Sequence, residues 1–169
     1  MSARRRRQTG SSMTEFSASM VIFILFVFCP LINVGILPVR YLIAHGIITE
    51  MTHRISLCEK RSDAYNYLKG NQWWTSFLSK CGVGVSNPKL TMIVCGKNVG
   101  DRTKFSNASE ISPDWLPNGA KGPCVYSVQL TADCALSPMF NAQAGLAGFT
   151  KPVTISINSQ AQWESLGRD

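Results

Sequence analysis

The sequence predicts an α+β protein, in which a long N-terminal transmembrane helix continues into a small head domain built on an antiparallel sheet. Two patterns support this fold class. An uncharged apolar run of 22 residues extends from Ala18 to Val39, and a period-two alternation extends from Cys124 to Cys134. A sheet with one wet face must bury its other face, and a helix packed against it gives an α+β layer.

The apolar run is long enough to cross a bilayer. At about 1.5 Å per residue it spans roughly 33 Å, against a hydrocarbon core of about 30 Å. Arg4–Arg7 precede it and the single Arg40 follows it, so we expect the N-terminus in the cytoplasm and the remainder exported. A cleaved secretory signal has an apolar core of only about 7–15 residues, which favours a retained anchor.

Pro30 and Pro38 lie inside the predicted span, with Asn33 between them. A proline removes a backbone donor and bends a helix. The anchor is therefore either a bent single helix in which Asn33 supplies a hydrogen bond, or a helix that packs against others through Asn33 and Gly35. The sequence leaves both alternatives open.

After the span, helical periodicity predicts a helix over residues 40–69, ended by Gly70. A second short helix is predicted over 72–80. We expect its Trp73 and Trp74 to be core anchors, the alternative being a surface that binds a partner or the membrane.

From Cys81 onward, glycine, asparagine and proline predict a loop up to residue 88, followed by a strand over Leu90–Cys95. Residues 96–122 are rich in turn formers, so a long loop that packs through Trp115 and Leu116 is expected.

The clearest strand follows at Cys124–Cys134, with its even-numbered residues predicted to face the core. A Gly/Ala-rich connection over residues 138–150 and a last strand from Val153 complete a predicted three-stranded sheet. The predicted organisation is a basic leader (1–10), a transmembrane helix (11–40), a membrane-proximal helical segment (41–80) and an exported β-rich head (81–169).

Charge does not indicate a nucleic-acid partner. The net charge is +7, and the chain from Arg40 onward holds 13 basic and 9 acidic residues without a basic stripe interleaved with aromatics. His45 and His53 are eight residues apart, too far for an i, i+4 metal pair, so we expect surface histidines. With no nucleophile elbow and no phosphate-binding glycine loop, neither a cofactor, a metal nor an enzymatic activity is expected.

Six cysteines are present, and four of them fall in the exported head. In an oxidising compartment these four predict at least one disulfide, with the pairing undetermined, or else they are reduced, buried small side chains. The absence of a CxxC pair argues against zinc. The candidates are Cys81, Cys95, Cys124 and Cys134.

Gly10 followed by Glu15 at the start of the apolar helix resembles the processing site of type IV-like prepilins. The resemblance implies cleavage between Gly10 and Ser11 by a prepilin peptidase. It also implies that Glu15 pairs with the terminal amine of a neighbouring subunit during assembly. A carboxylate at the hydrocarbon edge does need such a cationic partner. Phe16, next to this glutamate, is a residue that the class accepts.

Within that class the chain resembles the TadE-like minor pilins, or pseudopilins, of the tight-adherence system. The similar features are the segment from Gly10 to Phe16, Pro30 within the apolar helix, and the tail from Tyr126 through Val153 to Glu164. Residues 70–122 resemble nothing in that family.

The resemblance implies a structural subunit in the bacterial inner membrane, with a cytoplasmic N-terminus and an exported head, or in an extracellular pilus. Its implied partners are a prepilin peptidase, other pilins, the assembly platform and membrane lipid. The rival interpretation is a single-pass envelope protein whose head binds a ligand or partner.

Overall fold

A single long helical rod dominates the computed structural model, which describes residues 8–106, 111–116, 118–140 and 151–163. The rod consists of α1 (Gln8–Phe23), a π-helical turn (Ile24–Phe28) and α2 (Cys29–Ser56), which follow one another without a break. Two short helices come next, α3 (Arg61–Gly70) and α4 (Trp73–Lys80). Arg4–Arg7 and residues 141–150 of the predicted connection lie outside the described residues.

The sheet has four antiparallel strands in the order β2-β1-β3-β4, so the α+β prediction is confirmed. One more strand is present than the sequence predicted, because residues 102–105 pair with the end of the first strand. The strands are β1 (Val83–Cys95), β2 (Arg102–Phe105), β3 (Val125–Leu136) and β4 (Val153–Gln162).

The core lies between α2 and the inner face of the sheet. As predicted, the even-numbered residues of β3 face inward, and all of them from Tyr126 to Leu136 are buried. The helix contributes one face with a spacing of three or four residues, which brings its side chains onto one stripe. That face comprises Ala44, Ile48, Met51, Thr52 and Ile55, each with no exposed surface.

The predicted loop before residue 88 is wrong, because β1 already begins at Val83. Its turn-forming residues instead make a β-bulge. The register shifts between Ser86 and Lys89, and Asn87 takes a positive φ of 51°. A bulge leaves its extra residue unpaired, which suits Pro88 since proline has no N–H to donate.

The predicted continuous helix over 40–69 is also wrong, because it is interrupted between Ser56 and Arg61. The last turn tightens, since the Cys58 N–H donates to the Ile55 carbonyl at 3.1 Å. A side chain distant in sequence binds at the interruption, where the indole Nε1 of Trp163 donates to the Cys58 carbonyl at 2.8 Å. The two tryptophans of α4 differ as well: Trp74 is buried in the core, whereas Trp73 is 37% exposed.

The predicted long loop over 96–122 contains β2 and a 3-10 turn, Pro113–Trp115. It packs through Trp115 as expected. The Tyr126 hydroxyl donates to the Trp115 carbonyl at 2.6 Å, and the Lys121 ammonium lies 2.9 Å from the Asp101 carboxylate. This ion pair lowers the pKa of Asp101 and fixes the loop at the end of the sheet.

Candidate functional site

The first part of the helical rod is exposed and is not covered by the head. Every residue from Ser12 to Phe28 is exposed, and most of them are large and apolar. The hydroxyls of Ser17 and Ser19 donate to the carbonyls of Met13 and Glu15, both at 2.9 Å. Neither hydroxyl therefore needs a water molecule as its acceptor. Among the described residues one helix, Ser12–Ser56, is long and apolar enough to cross a membrane, although an N-terminal signal sequence passes the same test.

The residues predicted to direct processing and assembly lie at the start of this rod. The backbone of Gly10 and Ser11 is helical. Glu15 follows Ser11 by four residues, which places it on the same helix face about 6 Å further along the axis. Its side chain is exposed, and Phe16 beside it is 69% exposed. The arrangement presents an anion at the edge of a long apolar cylinder.

The head begins to cover the rod at Asn33, which is only 4% exposed. Its Oδ1 accepts the backbone N–H groups of Met139 and Phe140, each at 3.0 Å. Its Nδ2 donates to the Phe140 carbonyl at 3.2 Å. Asn33 therefore binds the chain that leaves β3. The hydrogen-bond partner of Asn33 is thus the head of its own chain, a contact that the sequence did not predict.

A second contact joins the rod to the head about two turns further along. The guanidinium of Arg40 donates to the Ser137 carbonyl, and the Ser137 N–H donates to the Gly82 carbonyl at 3.1 Å. Gly82 has φ +76°, and a Cβ built there would lie 2.6 Å from the guanidinium carbon of Arg40. A glycine is favoured here because L side chains rarely adopt this positive φ, and a Cβ would also displace the Arg40 guanidinium.

These contacts divide the predicted span. Its first part is bare, whereas the part from Asn33 onward lies against the head. β3 therefore runs toward the apolar half of the rod and ends beside Asn33, and β4 runs away from it and ends beside Cys58. The sequence marked Asn33 as unusual, an amide inside an apolar run, but its partner is 106 residues away and carries no local signal.

The predicted disulfide is not formed, since all four candidate cysteines carry free thiols. Strand register gives the reason. Cys95 pairs with Val125, so the neighbouring Cys124 projects from the opposite face of the sheet. Cys134 lies ten residues after Cys124 along the same strand direction, roughly 33 Å from it at about 3.3 Å per residue. This is far beyond the Cα separation of about 4.4–6.8 Å that a disulfide allows. Cys81 precedes β1 and lies four residues before Val85, which is the residue that pairs with Cys134.

Burial dominates the electrostatics of the core. It raises the pKa of the Cys134 thiol, which keeps this group protonated and unreactive. Burial, with a further effect of Cys124, raises the pKa of Tyr126 to about 12. His45 and His53 are exposed, as predicted. The described part of the chain contains no cluster of three or more histidine, cysteine, aspartate or glutamate side chains that could hold a metal.

A cleft of about 520 Å³ opens on the head side of α3 and α4. Leu68, Trp74 and Leu90 contribute apolar walls, and Lys69 and Lys89 also line it, with no carboxylate among the described residues around them. Sequence reasoning did not find the cleft, because it forms between helices and the β-bulge, elements far apart along the chain.

No protein family, curated protein or solved structure matches this chain. The described residues nevertheless have a pilin-like architecture, in which an apolar N-terminal helix is bare over its first half and packs over its second half against a four-stranded antiparallel sheet.

Proposed function

We propose that this protein is a minor pilin or pseudopilin, a non-enzymatic structural subunit of a Tad-type, type IV-like pilus or secretion apparatus. A prepilin peptidase would process it after Gly10. The observation that carries the proposal is the division of one helical rod at Asn33, with a bare apolar half before it and a half packed under the sheet after it.

The bare half requires an apolar environment at every stage. Exposed apolar patches of this extent mark an interaction surface or a membrane segment. Before assembly the bilayer provides that environment, and in a filament the equivalent helices of other subunits provide it. The protein would therefore reside in the bacterial inner membrane, with its N-terminus in the cytoplasm and its head exported, or in an extracellular pilus.

Glu15 would bind the N-terminal amine of the neighbouring subunit during assembly. A carboxylate at the edge of hydrocarbon is stabilised only when it finds a cation. Cleavage after Gly10 creates such a cation, the amine of Ser11, at the end of each subunit. The partners of the chain are accordingly the peptidase, other pilins, the assembly platform and membrane lipid. The proposed role requires no nucleic acid, metal or cofactor.

N-terminal sequencing of the membrane-extracted protein tests the processing step. We expect Ser11 as the first residue, and Gly10→Val should leave the leader attached. Gly35→Ala is the matched control, since a Cβ at Gly35 meets nothing within 4 Å, and it should be processed normally. A mature chain that begins at Met1 or Ser2 would rule out processing.

Substitution of Glu15 tests the assembly step. Glu15→Ala and Glu15→Gln should insert into the membrane at the wild-type level and yet fail to enter sheared filaments or co-purify with other pilins. Glu59→Ala, which removes an exposed carboxylate between α2 and α3, should assemble normally. Normal incorporation of both Glu15 variants would show that this carboxylate is incidental.

The cleft favours a second candidate, an envelope-anchored protein whose head binds a ligand. Lys69 and Lys89, with no carboxylate among the described lining residues, suit an anionic ligand. Acidic oligosaccharides and acidic peptides are the probes to use, in titrations of the full-length protein and of Lys69→Ala/Lys89→Ala. Saturable binding that the double variant loses, together with unprocessed Gly10, would favour this candidate over the pilin.

A further inference from the structure

Two large apolar side chains project from the head at the point where it contacts the rod. Met139 is 56% exposed and Phe140 is 41% exposed, although both closely follow the core strand β3. Their backbone is fixed to Asn33 by three hydrogen bonds. These side chains are therefore held at a defined position along the helix axis.

The position of these side chains along the helix gives their depth in a bilayer. Asn33 lies 18 residues after Glu15, about 27 Å along a helix, and Arg40 lies 25 residues after it, about 38 Å. A hydrocarbon core is about 30 Å thick, and about 40–45 Å with its headgroup regions. With Glu15 at the inner edge of the hydrocarbon, Asn33 falls just inside its outer edge, and the backbone of Arg40 falls at the outer limit of the headgroups, about 35–38 Å from Glu15. The guanidinium of Arg40 reaches back to the Ser137 carbonyl and so lies within the headgroup region.

The backbone N–H groups of this segment meet the requirement for irregular structure at such a depth. Non-helical backbone is tolerated in the hydrocarbon region only where its polar groups are satisfied within the protein. Each N–H from Ser137 to Phe140 has an acceptor, Gly82 for the first and Asn33 for the other two, while Pro138 has none to satisfy. The carbonyls of Ser137 and Phe140 also accept bonds, from Arg40 and Asn33.

The neighbouring surface has the composition of a membrane interface. Val34 and Val153 beside the segment are exposed, at 57% and 39%. Lys151 lies among the residues around Asn33, and a lysine at this depth can extend its ammonium to the phosphates. An apolar groove continues this surface along the rod and is lined by Leu37, Pro38, Tyr41, Leu136, Val153 and Ile155.

We propose that residues 137–140 insert into the outer leaflet of the bilayer that holds the anchor. Met139 and Phe140 contact the acyl chains, and the cationic groups of Arg40 and Lys151 lie in the headgroup region. The proposal rests on the membrane anchor of the proposed function. The occupant is lipid rather than a second protein, because the covalent rod places the segment at hydrocarbon depth in a single subunit.

Fluorescence quenching by brominated lipid tests this insertion. The full-length chain is reconstituted at one copy per nanodisc, with acyl chains either brominated or unmodified. Phe140→Trp reports on the segment, and Met139→Trp gives a second reading should the first variant fold poorly. Phe26→Trp, at an exposed position in the middle of the rod, reports on the anchor itself. The wild-type emission of the four native tryptophans is subtracted.

Val99→Trp is the matched control. Val99 is fully exposed and lies in the turn after β1, at the end of the sheet opposite Asn33. We expect brominated lipid to reduce the emission of the Phe140→Trp probe, as for a ring among acyl chains, and to leave the Val99→Trp signal unchanged.

The outcomes separate the two proposals. Quenching of Phe26→Trp without quenching of Phe140→Trp or Met139→Trp would overturn the insertion and leave the anchor standing, and the segment would then be a surface for another subunit. Failure of Phe26→Trp to be quenched would overturn the anchor, and the insertion with it.

Discussion

Asn33 offers the sharpest test of how the head is attached to the rod. Asn33→Ala removes three hydrogen bonds and leaves the N–H groups of Met139 and Phe140 without their acceptor. Loss of one hydrogen bond lowers the free energy of unfolding by about 1 kcal/mol, and an unsatisfied buried donor lowers it further. We expect the free energy of unfolding to fall by about 3 kcal/mol, which for a domain of this size lowers Tm by roughly 12 °C.

The measurement is thermal unfolding of the full-length protein in detergent micelles, followed by near-UV circular dichroism. Asn33→Asp retains an acceptor oxygen but buries a carboxylate whose second oxygen faces the Phe140 carbonyl, so its loss should be at least as large as that of Asn33→Ala. Asn158→Ala, at an exposed position on β4, should remain within about 0.5 kcal/mol of wild type. The reasoning is refuted if Asn33→Ala is as stable as this control.

Three further predictions concern the head. Gly82→Ala should lower the free energy of unfolding by at least about 1 kcal/mol, because φ is positive and the Cβ meets Arg40; Gly46→Ala, in open space on α2, should be neutral or stabilising. The proton on Tyr126 is held to a higher pH in the folded protein than in the unfolded chain. Stability should therefore be intact below pH 10 and fall as pH rises from 10 to about 12. The difference in tyrosinate absorbance between wild type and Tyr126→Phe should show a titration near pH 12, and a difference that titrates near pH 10 would contradict this. Alkylation in denaturant without reductant should add six adducts by intact mass, and the loss of two adducts from that number would reveal a disulfide.

The elements governed by local patterns could be predicted from the sequence. The uncharged run after Ala18 requires a helix in an apolar environment, and alternation along β3 assigns its inward face from Tyr126 to Leu136. Both follow from side-chain periodicity alone, since a helix repeats about every 3.6 residues and a strand about every 2. For the same reason the predicted position of α4 agrees with the structure to within one residue.

Long-range contacts decided the features that local patterns misjudged. Trp163 donates to the Cys58 carbonyl at the point where the helix is interrupted although its periodicity continues. Pairing with β3 converts the turn signals at Asn87 and Pro88 into a bulge. In each case a hydrogen-bond partner from elsewhere in the chain outweighed a local preference that contributes only a fraction of a kcal/mol to about 1 kcal/mol.

The sequence by itself determined that this chain has a bare apolar helix with a carboxylate near its start and a sheet with one buried face. Only the tertiary structure decided where the head attaches to that helix, that the cysteines of the head are kept apart, and that Met139 and Phe140 lie at the level of Asn33. The physical reason is that hydrophobic periodicity is written in neighbouring residues, whereas the buried amide of Asn33 is satisfied by a backbone 106 residues away.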